Sequence, residues 1–263
     1  MSKARKYFVI ARIHVQNAFA YRANVISGLL YYTLFIFVFF SLWQAIYQEG
    51  SVNGYTHGQV VWYLIATELV VFGCRTPIVS KINEDVKTGA MAYLLNRPVH
   101  YIAYQAAAAV GQILANLCFF GVLAVALGFL FVGPIPNFRW AGIPCMLLSG
   151  LLGVALQFSS MVAIGLTAFR LEDNSAVYLI FQKLVFMLDV FLPVEFLPVW
   201  LQGIAKALPF SYVAWGPAKL FVDFTWSLFF RIVPMQLLWF SVMTGFALLM
   251  YRSGMRNLQM NGG

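Results

Sequence analysis

At 263 residues, with 62% hydrophobic and only 10% charged side chains, the chain has too little polar surface to fold as a water-soluble domain. Its apolar runs are continuous rather than alternating, which excludes a β-barrel. Its formal charge of +8 flanks those runs instead of forming a stripe interleaved with aromatics, which argues against a nucleic-acid partner and for a membrane topology signal.

Residues 1–23 precede the first long apolar run. On a helical wheel Tyr7, Phe8, Ala11, Val15 and Ala18 share one arc, with Arg5, Lys6, Arg12, Gln16 and Asn17 largely opposite. Ile10 and Ile13 interrupt the pattern. This arrangement predicts an N-terminal cytosolic interfacial helix, its basic face toward lipid phosphates, over an ordinary solvated leader. The polar start and the absence of a small-x-small site after the first run argue against a cleaved signal peptide.

Residues 24–263 then read as one transmembrane domain of six helices: Val25 to Tyr47, Gln59 to Ser80, Ile102 to Val132, Trp140 to Phe169, Ala176 to Leu192 and Ser227 to Tyr251. Each is near or above the ~20 residues needed to cross about 30 Å of hydrocarbon. The third and fourth are long enough to tilt or to extend beyond the lipid. With the N-terminus inside, twelve Lys and Arg residues lie on the inner side against Arg139, Lys206, Lys219 and Arg231 outside. The bias predicts cytosolic termini at both ends.

Charges inside spans are costly and demand a reason. Glu68 and Arg75 fall in the second span, seven residues apart on one face. Asp189 falls near the outer end of the fifth, and Lys183 nearer its inner end. They either line a polar route across the membrane or are paired bundle contacts and snorkelling residues. In the third span Gln105, Gln112 and Asn116 form one polar stripe, best read as interhelical hydrogen bonding. Ser149 and Gly153 make a small-xxx-small pair in the fourth.

Two links stand out. Residues 81–98 carry Lys81, Glu84, Asp85 and Lys87, then a turn at Gly89, a helix-compatible stretch from Ala90 to Leu95, and a stop at Pro98. A short charged helix on the inner side suits docking into a groove on another protein. Residues 193–226 are broken by Pro193, Pro198, Pro209 and Pro217, yet remain apolar. Pro198 suits the first turn of a short helix running to Leu208, which Pro209 ends. Pieces too short to cross and too apolar for water predict a re-entrant hairpin between helices five and six.

Catalytic signatures are absent. His14, His57 and His100 lack metal-ligand spacing, Cys74, Cys118 and Cys145 lie in apolar runs without a CxxC pattern, and no Gly-Lys dipeptide exists for a P-loop. The chain is therefore read as no enzyme, with any ATP hydrolysed elsewhere.

These residues resemble the type-2 ABC exporter permeases, in particular the compact six-helix branch without a large outer domain. Gly89 followed by Leu94, Leu95, Asn96, Arg97, Pro98 and Val99 is similar to that branch's Gly…Leu-Leu-x-Arg-Pro pattern. Pro193, Pro198, Trp200 and Leu201, then Leu208, Pro209, Phe210 and Pro217, are similar to its proline-rich outer hairpin. Glu172, Asp173 and the tail Tyr251, Arg252, Gly254, Arg256 add weaker likeness, and Asp189 departs from it.

The resemblance implies half of a transmembrane dimer, paired with itself or a related permease. It also implies two copies of a separate ATPase subunit that hold the ATP and Mg. Glu84, Asp85, Gly89, Leu95, Arg97 and Pro98 would be the coupling segment on that ATPase. Glu68, Arg75 and Asp189 would line the path, and Pro193, Glu195, Pro209 and Phe210 the outer gate. The setting implied is a bacterial inner membrane. Two other classes compete: an ion-gradient-driven transporter or channel using Glu68, Arg75 and Asp189, and a lipid-modifying membrane enzyme, which the lack of a His/carboxylate cluster disfavours.

Overall fold

The computed structural model describes residues 3–47, 54–95, 99–135, 138–171, 173–187 and 193–261. Among them there are helices and no strands: α1 (Lys3–Ala20), α2 (Arg22–Ile46), α3 (His57–Gly73), α4 (Ile78–Lys87), α5 (Ala90–Leu95), α6 (Tyr101–Phe131), α7 (Gly142–Leu166), α8 (Ala168–Leu171), α9 (Ser175–Val185), α10 (Val199–Ala207), α11 (Trp215–Val222) and α12 (Trp226–Asn261). Short 3-10 turns at Val194–Phe196 and Pro209–Tyr212 flank α10.

Five stretches among the described residues are long and apolar enough to cross a bilayer: Ala23–Ile46, His57–Lys87, Tyr101–Phe131, Gly142–Leu171 and Trp226–Arg256. The expected fifth span is represented by α9, whose 11 residues rise only about 16 Å. Its remainder beyond residue 187, with Asp189, lies outside the described residues, so five spans stand where six were expected. The last span is longer than expected, because α12 continues ten residues past Tyr251.

The core forms around α3, which packs between α2, α6 and α11. α2 contributes one narrow stripe, Tyr32, Ile36 and Trp43, spaced at helical intervals and buried. Its other faces expose Leu30, Leu34, Phe37 and Leu42, a surface that requires an apolar surrounding. On α6, Gly128 leaves room for the Trp62 ring of α3; a Cβ there would overlap it. The Trp62 indole N–H donates to the Gly133 carbonyl at 3.1 Å.

α1 is helical as expected, but its inward face differs. Phe8 is 68% exposed, while Ile10 and His14 join Tyr7, Ala11, Val15 and Ala18 on the covered side. That face packs along α6, where Gly111 lacks the Cβ that would strike the Ala11 carbonyl. The apolar arc is thus used against protein, and the steric fit at Gly111 sets its angle, not bulk hydrophobicity.

The second span also differs from expectation. α3 ends at Gly73, and the helix resumes at Ile78 with Pro77 as its N-cap residue. Proline has no N–H and biases the residue before it away from helix, so the break follows from sequence. Three freed carbonyls, of Phe72, Gly73 and Arg75, accept from the Asn116 amide at 3.3–3.4 Å. Of the α6 stripe, Asn116 alone bonds directly across to the second span among the described residues; Gln112 donates to Asn116 and Gln105 to the Tyr101 hydroxyl, each at 3.0 Å within α6. Gly153 does serve a close approach, but to the Val213 carbonyl ahead of α11. Ser149 exchanges hydrogen bonds with the fully buried Gln236 of α12.

Candidate functional site

Chemistry-bearing side chains gather at the two ends of the bundle. At one end, α4 is an amphipathic helix: Ile78, Val79, Ile82 and Asp85 face inward, while Ser80, Lys81, Glu84 and Lys87 face out. The charged part of the 81–98 link is thus helical, because the apolar spacing continues from Ile78 through the charges. Gly165 on α7 leaves space for Ile82, which holds α4 against that helix.

Asp85 is not an exposed docking charge. It is 2% exposed, accepts from the Tyr101 hydroxyl at 2.8 Å, and pairs with Lys81 at 3.2 Å. Glu84, by contrast, is exposed and meets only Lys81, at 3.4 Å. Lys87 pairs with Asp173 at 3.1 Å, and Asn83 donates to the same carboxylate at 3.4 Å. Ser175's hydroxyl and N–H, then Lys87, hold the Asp173 carboxyl well below the usual carboxylate range. Asn174 donates twice to the last turn of α7, at 2.9 Å each. The α4 helix is thus fastened to α6, α7 and the start of α9.

Gly89 joins α4 to α5 with φ +70, a left-handed conformation that L side chains rarely adopt. α5 occupies the predicted stretch and ends at Leu95, whose side chain is not among those described. Arg97 and Pro98, with Asn96 and Glu172, lie outside the described residues.

At the other end the proline-broken segment folds as the sequence implied locally. Pro198 is the N-cap residue of α10, and Leu208 ends it before Pro209 starts the next turn. Pro193 is buried and opens the turn that carries Glu195. Phe210 packs its ring edge-on to Phe181 of α9, with centroids 5.6 Å apart. α10 exposes Val199 and Trp200, at 86% and 70%.

Lys219 organises this end. It is 8% exposed, donates to the Tyr55 hydroxyl at 2.6 Å and to Asp223 at 2.8 Å, and lies 3.8 Å from Glu195. Its ammonium sits 4.2 Å from the Tyr55 ring centroid. Tyr55 in turn donates to Glu195 at 2.9 Å. Burial, then the Glu195 charge, pushes the Tyr55 phenol above the usual tyrosine range, so it stays a proton donor. Gln59 donates to the Val222 carbonyl at 3.3 Å beside it. Tyr55, Glu195, Lys219 and Asp223, through contacts 4 to 164 residues apart in sequence, clasp this segment to the start of α3. Of these the site reading named only Glu195. The available signal was Lys219 itself, a lone cation in an apolar eight-residue helix with Asp223 four residues on.

Between the ends, Glu68 and Arg75 do not act as one face. Glu68 is buried on α3 beside Tyr32, with Oε1 lacking a hydrogen-bond partner among the described residues. Arg75 lies past the end of α3, in the break, and is exposed. No group of three or more His, Cys, Asp or Glu suited to a metal occurs among the described residues.

A helical bundle with five candidate membrane spans among the described residues is consistent with a membrane transport component, and the match to a family model supports the type-2 ABC permease class. The chain belongs to the family described as ABC-2 family transporter protein, whose model matches residues 23–262. Among curated proteins, none matches the chain.

Proposed function

We propose that the chain is the membrane subunit of an exporter that moves its substrate by alternating access. It pairs with itself or a related permease, and two copies of a separate ATPase subunit supply the ATP hydrolysis. The bundle sits in a cell membrane, such as a bacterial inner membrane, with both termini and α4–α5 on the cytosolic side. The hairpin around Glu195, Pro209 and Phe210 forms the outer gate.

One observation carries this reading: α4 is anchored to the bundle on its inner face and bare on its outer face. Lys81, Asp85 and Tyr101 tie it inward, leaving Glu84 and the turn at Gly89 free for a partner. A push on Glu84 would reach α6, α7 and α9 without slack. Nucleotide shifts the bundle only through its differential affinity for the two states, so such a stiff link is what the mechanism needs.

The test is Glu84→Lys in the complete transporter. Its one described bond is an exposed ion pair, worth at most about 1 kcal/mol, so melting should not change. ATP-driven transport should fall about tenfold or more, the equivalent of one lost charge-assisted contact. Unaltered transport would remove Glu84 from the coupling role. Transport by the reconstituted chain alone, without nucleotide, would instead select the ion-gradient reading, with Glu68, whose Oε1 has no hydrogen-bond partner among the described residues, as its coupling group.

A further inference from the structure

The break in the second span opens onto two cavities, of about 630 and 320 Å³, and both are lined by Phe72, Arg75, Tyr178 and Gln182. Volumes of this order are those of small-molecule sites. The smaller also reaches Lys183 and Phe181. No acidic residue lines either one among the described residues, so the cavities carry two cations and no counter-charge. Arg75 makes no ion pair and no side-chain hydrogen bond among the described residues, although it falls within the candidate span His57–Lys87.

An unpaired guanidinium inside a candidate span is costly, and charges there mark ligand pathways by default. Its backbone is held: the Arg75 carbonyl accepts from Asn116 at 3.3 Å. The Pro77 break keeps the residue off any helix face. A planar guanidinium with five donors suits a phosphate, sulfate or carboxylate, which it meets two-pronged. The larger cavity adds neutral polar groups, Asn24, Ser27, Gln112 and Asn116, that can serve a head group, while the smaller is walled mainly by Val70, Val71, Met161, Phe181, Val185 and Phe186, which suits an apolar body.

We propose that the joined cavities around Arg75 hold the acidic head group of an amphiphilic anion, the class of molecule this permease moves. The cargo part rests on the transport reading given above; the site itself does not.

The experiment uses the full chain in nanodiscs of phosphatidylcholine, titrated with decyl phosphate, decyltrimethylammonium and inorganic phosphate. Decyl phosphate should bind saturably, weakened about tenfold or more by Arg75→Gln and about threefold by Lys183→Gln, as expected for losing a charged donor. Arg75→Lys, which keeps the charge but loses the two-pronged geometry, should bind between wild type and Arg75→Gln, and guards against a folding defect. Competition by inorganic phosphate marks a free anion as the natural ligand. Competition only by phosphatidic acid placed in the disc marks a lipid head group. Equal binding by folded Arg75→Gln, or equally tight saturable binding of the cation, overturns the site. Arg75-dependent binding without ATP-driven transport of decyl phosphate keeps the site and removes the cargo role. ATP-driven transport that treats anionic and cationic amphiphiles alike sinks the substrate class and leaves the permease standing.

Discussion

Lys219 and Arg75 are both cations in apolar surroundings, and their neighbourhoods are opposites. Lys219 is buried and surrounded by Tyr55, Asp223 and Glu195, all within 3.8 Å. Arg75 is exposed to a cavity and has no such partner among the described residues. A cation satisfied on every side acts as a fastener, since moving it would strand two carboxylates. One left unsatisfied has bonding capacity to offer a visitor. The same chemical type thus serves structure at one end and recognition in the middle, and the partners within reach decide which.

Substituting each cation sharpens the contrast. Lys219→Met removes the shared donor and leaves Glu195 and Asp223 facing each other beside a buried phenol. The expected loss is about 2–3 kcal/mol, below a fully buried pair because Asp223 is half exposed. Arg75→Gln should leave stability unchanged or raise it slightly, because nothing is orphaned. Thermal melting of the two variants in one detergent checks the pair. Equal losses would mean that Arg75 is also structural.

A smaller effect is expected at the helix break that displays Arg75. Asn116→Leu withdraws the amide shared by the Phe72, Gly73 and Arg75 carbonyls. These bonds are long, so the loss should be about 1–2 kcal/mol. Because the break is set by Pro77 and not by Asn116, the helix should not heal. Anion binding at Arg75 should weaken with it, through a looser backbone. Melting and decyl phosphate titration on one variant measure both, and intact binding would detach Asn116 from the site.

Much of this architecture was legible from local rules. Pro198 and Pro209 bracket a helix because one has no N–H to lose in the first turn and the other cannot continue it, and α10 obeys both. The α6 stripe of Gln105, Gln112 and Asn116 was legible because polar groups in lipid must find partners. The extent of α4 was less legible, because the apolar run of the second span stops at Ser80 and only the spacing of Ile78, Val79, Ile82 and Val86 carries a new helix through Lys81, Glu84, Asp85 and Lys87. On α1 the arc Tyr7, Ala11, Val15 and Ala18 is covered, and the wheel could not show that Ile10 and His14 share that side in place of Phe8, or that Gly111, about a hundred positions away, leaves room for it. The clasp was illegible in principle: Tyr55 meets Glu195 and Lys219 across 140 and 164 residues, and no local pattern encodes that meeting.

The least costly member of the clasp offers the finest test. Tyr55→Phe keeps the ring under Lys219 and deletes only the hydroxyl, so about 0.5–1.5 kcal/mol should be lost at neutral pH. Its pH dependence carries the sign. The folded phenol is held above the ordinary value by burial and by Glu195. Below about pH 10 it is protonated in folded and unfolded chains alike, and its contribution is fully present. As pH rises past that value the unfolded tyrosine releases its proton while the folded one keeps it, and the contribution is lost. Wild-type melting should therefore fall more steeply than that of Tyr55→Phe above about pH 10, with the two curves converging. The other tyrosines titrate in both proteins and cancel in the comparison. Parallel curves would mean that the hydroxyl is not held between Glu195 and Lys219, and the outer clasp would reduce to the Lys219–Asp223 pair alone.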